Sequence, residues 1–445
     1  MKILKKNFFN FFFEKELIEK LLIILFLSIP IVYITGLLIT EIVLIILTIL
    51  FFIKISKIKS LDKKILIFFL IILSIYFFFN QIILNDIHKN NLKSLFYFRF
   101  LIIVPAAFLI LNSEKLTRIF LYSILFINIF VIFDIYFQKI FGFDLFGIDA
   151  LDAFSKGMHF KNPLEDISKV TRYSGPFGDE LIAGSYLSKF FLINIIFINY
   201  ELTNNKNIFL KKYQNILIFM FILIYLIGIL FTGERSAFIY FIFSLVIFFI
   251  FFRFNVKSLI SSLLIILILI PLILFNSNFY KRFYDSTINE LFSASSIENV
   301  EKKELKYEAL LQNKHLSHYS SAVAIFKENI FFGGGFKNYR NLCDSKKYQC
   351  STHPHNIFLE VLGSIGILGF LLFYTIFILY LKLYLKKKGK NYFLYIIFVI
   401  LNFLFILPTG SIFNNYFAVL SFYVLAAFMV CLENLDKDKS FMKQR

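Results

Sequence analysis

The sequence predicts an all-α, polytopic membrane protein of about 12 transmembrane helices, with a large outer loop before the tenth. Three observations carry that prediction. Of the 445 residues 59% are hydrophobic, with 64 Phe, 24 Tyr and no Trp, and the mean hydropathy is +0.76. A soluble domain is about half apolar or less, so this excess exceeds what a soluble core can hold. Apolar runs of about 20 residues recur along the whole chain, the length that lets a helix cross roughly 30 Å of hydrocarbon. Finally, the formal net charge of +18 is gathered in alternate connections rather than spread evenly.

The spans are expected at 20–36, 37–53, 65–84, 95–112, 117–140, 181–199, 213–231, 236–252, 258–276, 356–381, 391–408 and 412–432. The first two share one run broken near Thr35-Gly36, and interrupted helices are tolerated where protein packs around them. Residues 1–36 have a basic start and an apolar stretch, but no small-residue cleavage site follows, so they read as an uncleaved first span. With the N-terminus inside, the inner connections (1–20, 54–64, 113–118, 201–212, 252–258, 382–390 and 433–445) carry 26 Lys and Arg. The short outer connections carry only Lys89, Lys93 and Arg235. This is the positive-inside pattern, and it places both termini in the cytoplasm. The positive charge is therefore a topology signal, and nucleic acid drops out as a partner. The whole of 1–445 reads as a single transmembrane domain, without internal repeats.

Unusual residues then collect on the outer face. All six histidines (His88, His159, His315, His318, His353 and His355) fall in outer loops, as do Gly175, Gly178 and the run Gly333-Gly334-Gly335. Two outer loops are long, 141–180 and 277–355, and loops of that size usually carry function or structure of their own. Within the second, Ser317–Asn329 has the apolar spacing of a helix lying on the membrane. Cys343 and Cys350 lie seven positions apart there. In an oxidising compartment they are expected to form a disulfide; a metal site with His353 and His355, or free thiols, are the alternatives. Zinc ligand pairs prefer two to four residues of spacing, which the six-residue gap does not match. Cys431, inside the last span, reads as an inert packing residue.

Four segments can carry chemistry: Arg172-Tyr173-Ser174-Gly175-Pro176-Phe177-Gly178-Asp179-Glu180; Gly233-Glu234-Arg235-Ser236-Ala237; Phe332-Gly333-Gly334-Gly335-Phe336-Lys337-Asn338-Tyr339-Arg340; and Thr352-His353-Pro354-His355-Asn356, followed by nine residues and then Gly366-Ile367-Leu368-Gly369. A histidine, mostly neutral near pH 7, suits the task of taking a proton from a hydroxyl. Arginine suits the holding of a diphosphate, because one guanidinium pairs two phosphate oxygens. No Walker-type phosphate cradle and no carboxylate-rich metal cluster is present in the sequence.

Together with the spans and the large loop, these segments resemble the O-antigen ligase family, which also groups with O-antigen polymerases and some protein O-oligosaccharyltransferases. The most specific match is His355-Asn356, nine residues, then Gly366-x-x-Gly369. Arg235 matches the family arginine at the outer start of a span, and Gly333-x-Gly335-x-x-x-Tyr339 its glycine-rich turn. The resemblance covers residues 170–380 well and the first 140 only by topology. Two departures stand out. Asp179-Glu180 occupies the place where relatives often have Pro-Asn, and His318 stands where an arginine is common.

The resemblance implies a glycosyltransferase-C-type membrane enzyme of the bacterial inner membrane. It would move a glycan from undecaprenyl diphosphate to an acceptor hydroxyl, such as that of lipid A-core, at the periplasmic face. No cofactor, nucleotide or metal is expected. His355 and Arg235 are the expected catalytic pair. Arg172, Arg99, His353, His318, Asn356 and Glu180 are the expected substrate contacts.

Each residue has a plainer reading. His355 can serve as a helix cap, and Arg235, next to Glu234, can anchor a helix at the headgroups. Arg99 and Asp134 can form an ion pair inside the membrane, where charge is costly and usually paired or functional, and Lys189 can meet a lipid phosphate or a carboxylate. Gly366 and Gly369 read as close-packing positions and Gly333 to Gly335 as a tight turn. A polymerase of the same superfamily would use the same residues. A lipid-linked glycan transporter would spread ionisable groups along the midplane of repeated halves, a pattern this sequence lacks.

Overall fold

The computed structural model describes residues 16–56, 61–84, 94–150, 172–178, 180–205, 207–252, 314–344, 350, 352–386, 391–404 and 408–437. Among them all regular structure is helical, apart from one isolated bridge between Phe143 and Asp149. Helices occupy eleven of the twelve stretches read as spans; the ninth, 258–276, lies outside the described residues, as do His88, His159 and most of both long outer loops.

The chain opens with α1 (Leu17–Thr35) and α2 (Leu37–Ser56). The break between them is Gly36, whose φ of 124° suits a residue without a side chain. Across it Thr40 Oγ1 donates to Val32 O at 2.9 Å, tying the helix ends together. Next come α3 (Leu61–Leu84), the short α4 (Phe98–Leu101), α5 (Ile103–Ile110) and α6 (Glu114–Phe141). Ser113 caps α6 by accepting from Leu116 N, and Gly142 ends it in the left-handed conformation. At 28 residues α6 is about 42 Å long, so it extends past the hydrocarbon or tilts within it.

Seven described helices are long and apolar enough to cross a membrane, and Phe98–Ile110, Arg235–Phe251 and Tyr392–Leu404 are shorter apolar helices. The number of crossings expected from sequence thus exceeds the number that length and composition establish. The helix α7 (Ala183–Thr203) falls outside both sets because Lys189, Asn194 and Asn199 dilute its apolar run. Nearly all of it is nonetheless buried, packed among α6, α9 (Gln214–Thr232), α10 (Arg235–Phe251) and α15 (Asn415–Lys437); the short α8 (Ile208–Lys212) links it to α9. Its polar groups find partners there: Asn194 Nδ2 donates to Tyr225 Oη at 2.7 Å. A polar helix survives in an apolar phase when protein, not lipid, surrounds it. The outer surface is the reverse: Phe126, Phe133 and Ile140 of α6 stand exposed, as side chains facing lipid do.

The remaining helices are α11 (Lys314–Glu328), α12 (Tyr339–Asp344), α13 (Ile357–Lys386) and α14 (Tyr392–Val399), which continues as a π turn, Ile400–Leu404. Two expectations are corrected here. The apolar face of α11 is not left to the membrane: Ala322 and Ile325 are buried with Tyr339 and Cys343, and the helix packs on α13. And α13 is not one straight span, because Gly366 is non-helical at φ 63° and ψ −171°. The reason is a close approach. The glycine-rich turn lies against this break, where Gly334 N donates to Gly363 O (2.8 Å), Gly335 N to Ser364 O (2.9 Å) and Ile367 N to Ile330 O (2.8 Å). Gly333 to Gly335 therefore form a packed turn, with the Gly334 and Gly335 amides taken up by α13.

The two ends of the bundle differ in chemistry. One holds Lys54 with Glu19 (2.6 Å) and Glu16 (3.4 Å), and Arg118 with Glu114 and Glu201 (both 3.5 Å). The other gathers the Thr35–Gly36 break, the 172–182 segment, the start of α13 and the 408–414 turn. These are the connections that charge counting assigns to the outer side.

Candidate active site

A cavity of about 830 Å³ opens among the latter segments. Its wall includes Tyr33 and Tyr416, stacked with ring centroids 4.1 Å apart, together with Phe177, Glu180, His353 and Asn414. Apolar and aromatic walls with a few convergent polar groups are the usual form of a small-ligand site.

One polar group is a histidine cluster. The His353 and His355 rings lie 4.0 Å apart, and His318 reaches in from α11 to 5.2 Å from His355. His355 adopts φ 54°, an uncommon conformation for a residue with a side chain. Such a backbone persists only where its surroundings over-determine it, and it concentrates at functional sites. Here Thr409 N donates to His355 O at 2.7 Å. Thr352 Oγ1 and His353 Nδ1 are 2.9 Å apart, while His353 Nε2 is buried with no hydrogen-bond partner. Burial lowers the pKa of His353 to about 4; the Thr409 backbone opposes that shift and His318 adds to it. His353 is thus a neutral, weakly basic ring at neutral pH.

The second group is cationic. Arg172 is largely buried, with Nη2 donating to Leu181 O at 2.9 Å and Nε without a hydrogen-bond partner. Desolvation pushes its pKa down; Glu234 opposes that and the nearby charge of Arg235 adds to it. Two guanidiniums therefore lie near each other with Glu234 between their influences. Glu234 is not simply the ion-pair partner of its neighbour Arg235. Its carboxylate accepts from Gly184 N (2.8 Å), Ser185 N (3.0 Å) and Ser185 Oγ (2.6 Å), capping the exposed amides of α7. A Cβ on Gly184 would fall 2.3 Å from Thr232 Oγ1, so the α7 start can come this close only as glycine. The Arg172 segment is anchored in turn, with Tyr173 N donating to Phe231 O (3.1 Å) and Gly175 N to Gln138 Oε1 (2.9 Å). Ser185, which holds the Glu234 carboxylate, and His353 of the histidine cluster both line the cavity.

Two expected substrate contacts, Arg99 and Asn356, and two expected ionic contacts, at Asp134 and Lys189, find other partners. Arg99 does not line this cavity: Nε pairs with Glu41 at 2.8 Å, Nη1 donates to Phe96 O at 2.7 Å, and the guanidinium lies 4.1 Å over the Phe100 ring. The expected Arg99–Asp134 ion pair is not formed, since Asp134 Oδ1 instead accepts from Leu145 N at 2.8 Å. Asn356 is buried and its side-chain oxygen accepts from Leu359 N (2.9 Å), which makes it the cap of α13. Lys189 meets an amide rather than a carboxylate, with Nζ 3.3 Å from Asn402 Oδ1 and lying over the Tyr240 and Phe417 rings. Cys343 and Cys350 are bonded, with sulfurs 1.98 Å apart, and Cys431 is buried and free. Among the described residues no group of three or more His, Cys, Asp or Glu is arranged to hold a metal ion.

Sequence reasoning missed Glu360, Ser411 and Thr409. Glu360 is buried, with Ile412 N donating to one carboxylate oxygen at 2.8 Å and Ser411 Oγ to the other. A lone Glu one turn into an apolar helix was the available signal.

This is a multi-pass helical membrane protein with a cavity at one end lined by aromatic residues, Glu180 and His353. Residues 219–374 match the O-antigen ligase family. The matched segment holds Arg235, His318, His353 and His355, whereas Arg172 and Glu180 precede it. No curated protein matches the chain significantly.

Proposed function

We propose that the protein is a glycosyltransferase that moves a glycan from undecaprenyl diphosphate to an acceptor hydroxyl, that of lipid A-core, at the periplasmic face. The observation that carries this reading is the strained His355, gathered with His318 and with His353, which lines the cavity. The acceptor oxygen bonds to the anomeric carbon while the bond from that carbon to the diphosphate oxygen breaks. His355 takes the hydroxyl proton as that bond forms. The diphosphate leaves with the bonding electron pair, and Arg235 and Arg172 stabilise its charge. The strained backbone marks His355, rather than the buried His353, as the base. Glu180, exposed in the cavity wall, is placed to accept hydrogen bonds from sugar hydroxyls.

The test is to delete the gene and separate the surface polysaccharide on a gel. Loss of the long ladder from lipid A-core, with lipid-linked polymer accumulating, supports ligation. Survival of products carrying a single repeat would make the protein a polymerase, and an unchanged ladder would refute both.

A further inference from the structure

His355 holds its φ of 54° with help from outside its own segment, and the helping atom is the Thr409 amide. That amide belongs to the turn 408–414 between the last two described helices, which has no helix of its own to fix it. What does fix it is Glu360. Ser411 Oγ donates to one of its carboxylate oxygens, and Ile412 N donates to the other at 2.8 Å. The carbonyl of Ile412 is held as well, accepting from Tyr97 Oη at 2.8 Å. A further tether follows at Asn415, whose Oδ1 accepts from Lys337 Nζ at 2.8 Å, with the Lys337 charge acting on Glu360. Glu360 in turn is fixed to the histidine segment, since its own N–H donates to Asn356 O at 2.9 Å.

The result is a closed loop of contacts: His355 to Thr409, Thr409 through the turn to Ser411 and Ile412, these to Glu360, and Glu360 back to Asn356. A fully buried carboxylate is a costly way to tie down a turn in a membrane protein. Both of its oxygens are nonetheless used on this one turn, and the same turn ties the backbone of the strained histidine.

We propose that Glu360 is a positioning residue for His355: by gripping Ser411 and Ile412 it fixes the turn whose Thr409 amide sets the histidine backbone and aims its ring at the cavity. The same grip places Gly410, Ser411 and Asn414 in the cavity wall. Glu360 itself donates no proton to the substrate and holds no phosphate. The proposal rests on the reading of His355 as the base.

Purified full-length protein with lipid-linked glycan and acceptor tests it through four variants. Glu360→Ala should lower kcat by about 10²-fold, the effect of misplacing a reacting group by about 1 Å, with donor affinity retained. Glu360→Gln should recover most of that rate, because its oxygen can accept from Ile412 N–H and its amide can donate to Ser411 Oγ. The decisive variant is His355→Ala/Glu360→Ala. If Glu360 acts through His355, the double variant is no slower than His355→Ala alone; if the two losses multiply, the proposal is overturned. Should Glu360→Ala fail to fold, shown by loss of donor binding, Ser411→Ala in the wild-type and His355→Ala backgrounds puts the same question. Full activity of His355→Ala would refute the reading of His355 instead, whatever Glu360 does. An inactive His355→Ala with multiplying losses would refute Glu360 alone.

Discussion

Gly333 and Gly366 meet backbone against backbone: a Cβ on Gly333 would sit 2.6 Å from Gly366 N, and one on Gly366 would sit 2.4 Å from Phe331 O. Both also have positive φ, 69° and 63°. The spacing of Gly366 from His355 is therefore a requirement of packing, since the turn that precedes the histidine segment is docked in the break of α13. Gly366→Ala combines a disfavoured backbone with a main-chain clash, each worth about 1–3 kcal/mol or more. It is expected to destabilise the protein by at least about 2 kcal/mol. Folded yield in detergent and the thermal midpoint measure this; wild-type values for both would show that the turn is not tightly docked.

The histidine and the arginine should fail in different ways. His355→Ala leaves the cationic group in place, so donor binding should persist while transfer falls by about 10²–10⁴-fold, the usual contribution of a positioned base. Donor titration and single-turnover rates separate the two quantities.

Arg235→Lys keeps the charge but loses the planar fork that pairs two phosphate oxygens. It should weaken donor binding as well as slow transfer. A lysine variant with unaltered donor affinity would reduce Arg235 to a helix anchor.

Acid should loosen the site through His353. Its folded pKa, about 4, lies below the ordinary 6.5, so the unfolded chain binds the extra proton first. The stability that the neutral ring contributes is complete above about 6.5 and is lost as pH falls towards about 4. The protein should have a lower thermal midpoint at pH 5 than at pH 7, and His353→Asn should flatten that difference. Equal slopes in both proteins would assign the acid sensitivity to other groups, of which His318 and His355 are the nearest.

Much of this was legible in the sequence. The helices follow from apolar length, and the break at Gly36 from a glycine in a long run. The gathering of His318, His353 and His355 was only half visible: all three could be assigned to one face, but their meeting depends on how α11 packs on α13. The membrane reading of α11 failed because its apolar spacing fits protein and lipid equally well. Arg99 was misjudged because Glu41, its partner, lies 58 positions away on α2. Asn356 illustrates another limit, since a motif residue expected to touch substrate can instead cap a helix, here by accepting from Leu359 N. Glu360 escaped notice because its value lies in a turn 51 positions downstream.

The disulfide gives a direct chemical check. Thiol labelling of the denatured protein should detect one cysteine, Cys431, before reduction and three after it. Three labelled without reduction would remove the bond.

Topology is open to test through the charge asymmetry of the loops. A reporter active only in the periplasm should be active when fused after Asn313 and silent after Lys388. The reverse pattern would turn the site to the cytoplasm.

The turn at 408–414 also bears on the order in which the protein becomes complete during synthesis. Arg172, Glu234 and Arg235 emerge from the ribosome before His318, His353 and His355, and Thr409, Ser411 and Ile412 emerge after all of these. Until that final stretch is inserted, His355 has no amide to hold its carbonyl and the cavity lacks part of its wall. A nascent chain therefore carries Arg172 and Arg235 before the His355 backbone is set, and that backbone is set only once the turn leading into α15 is in place.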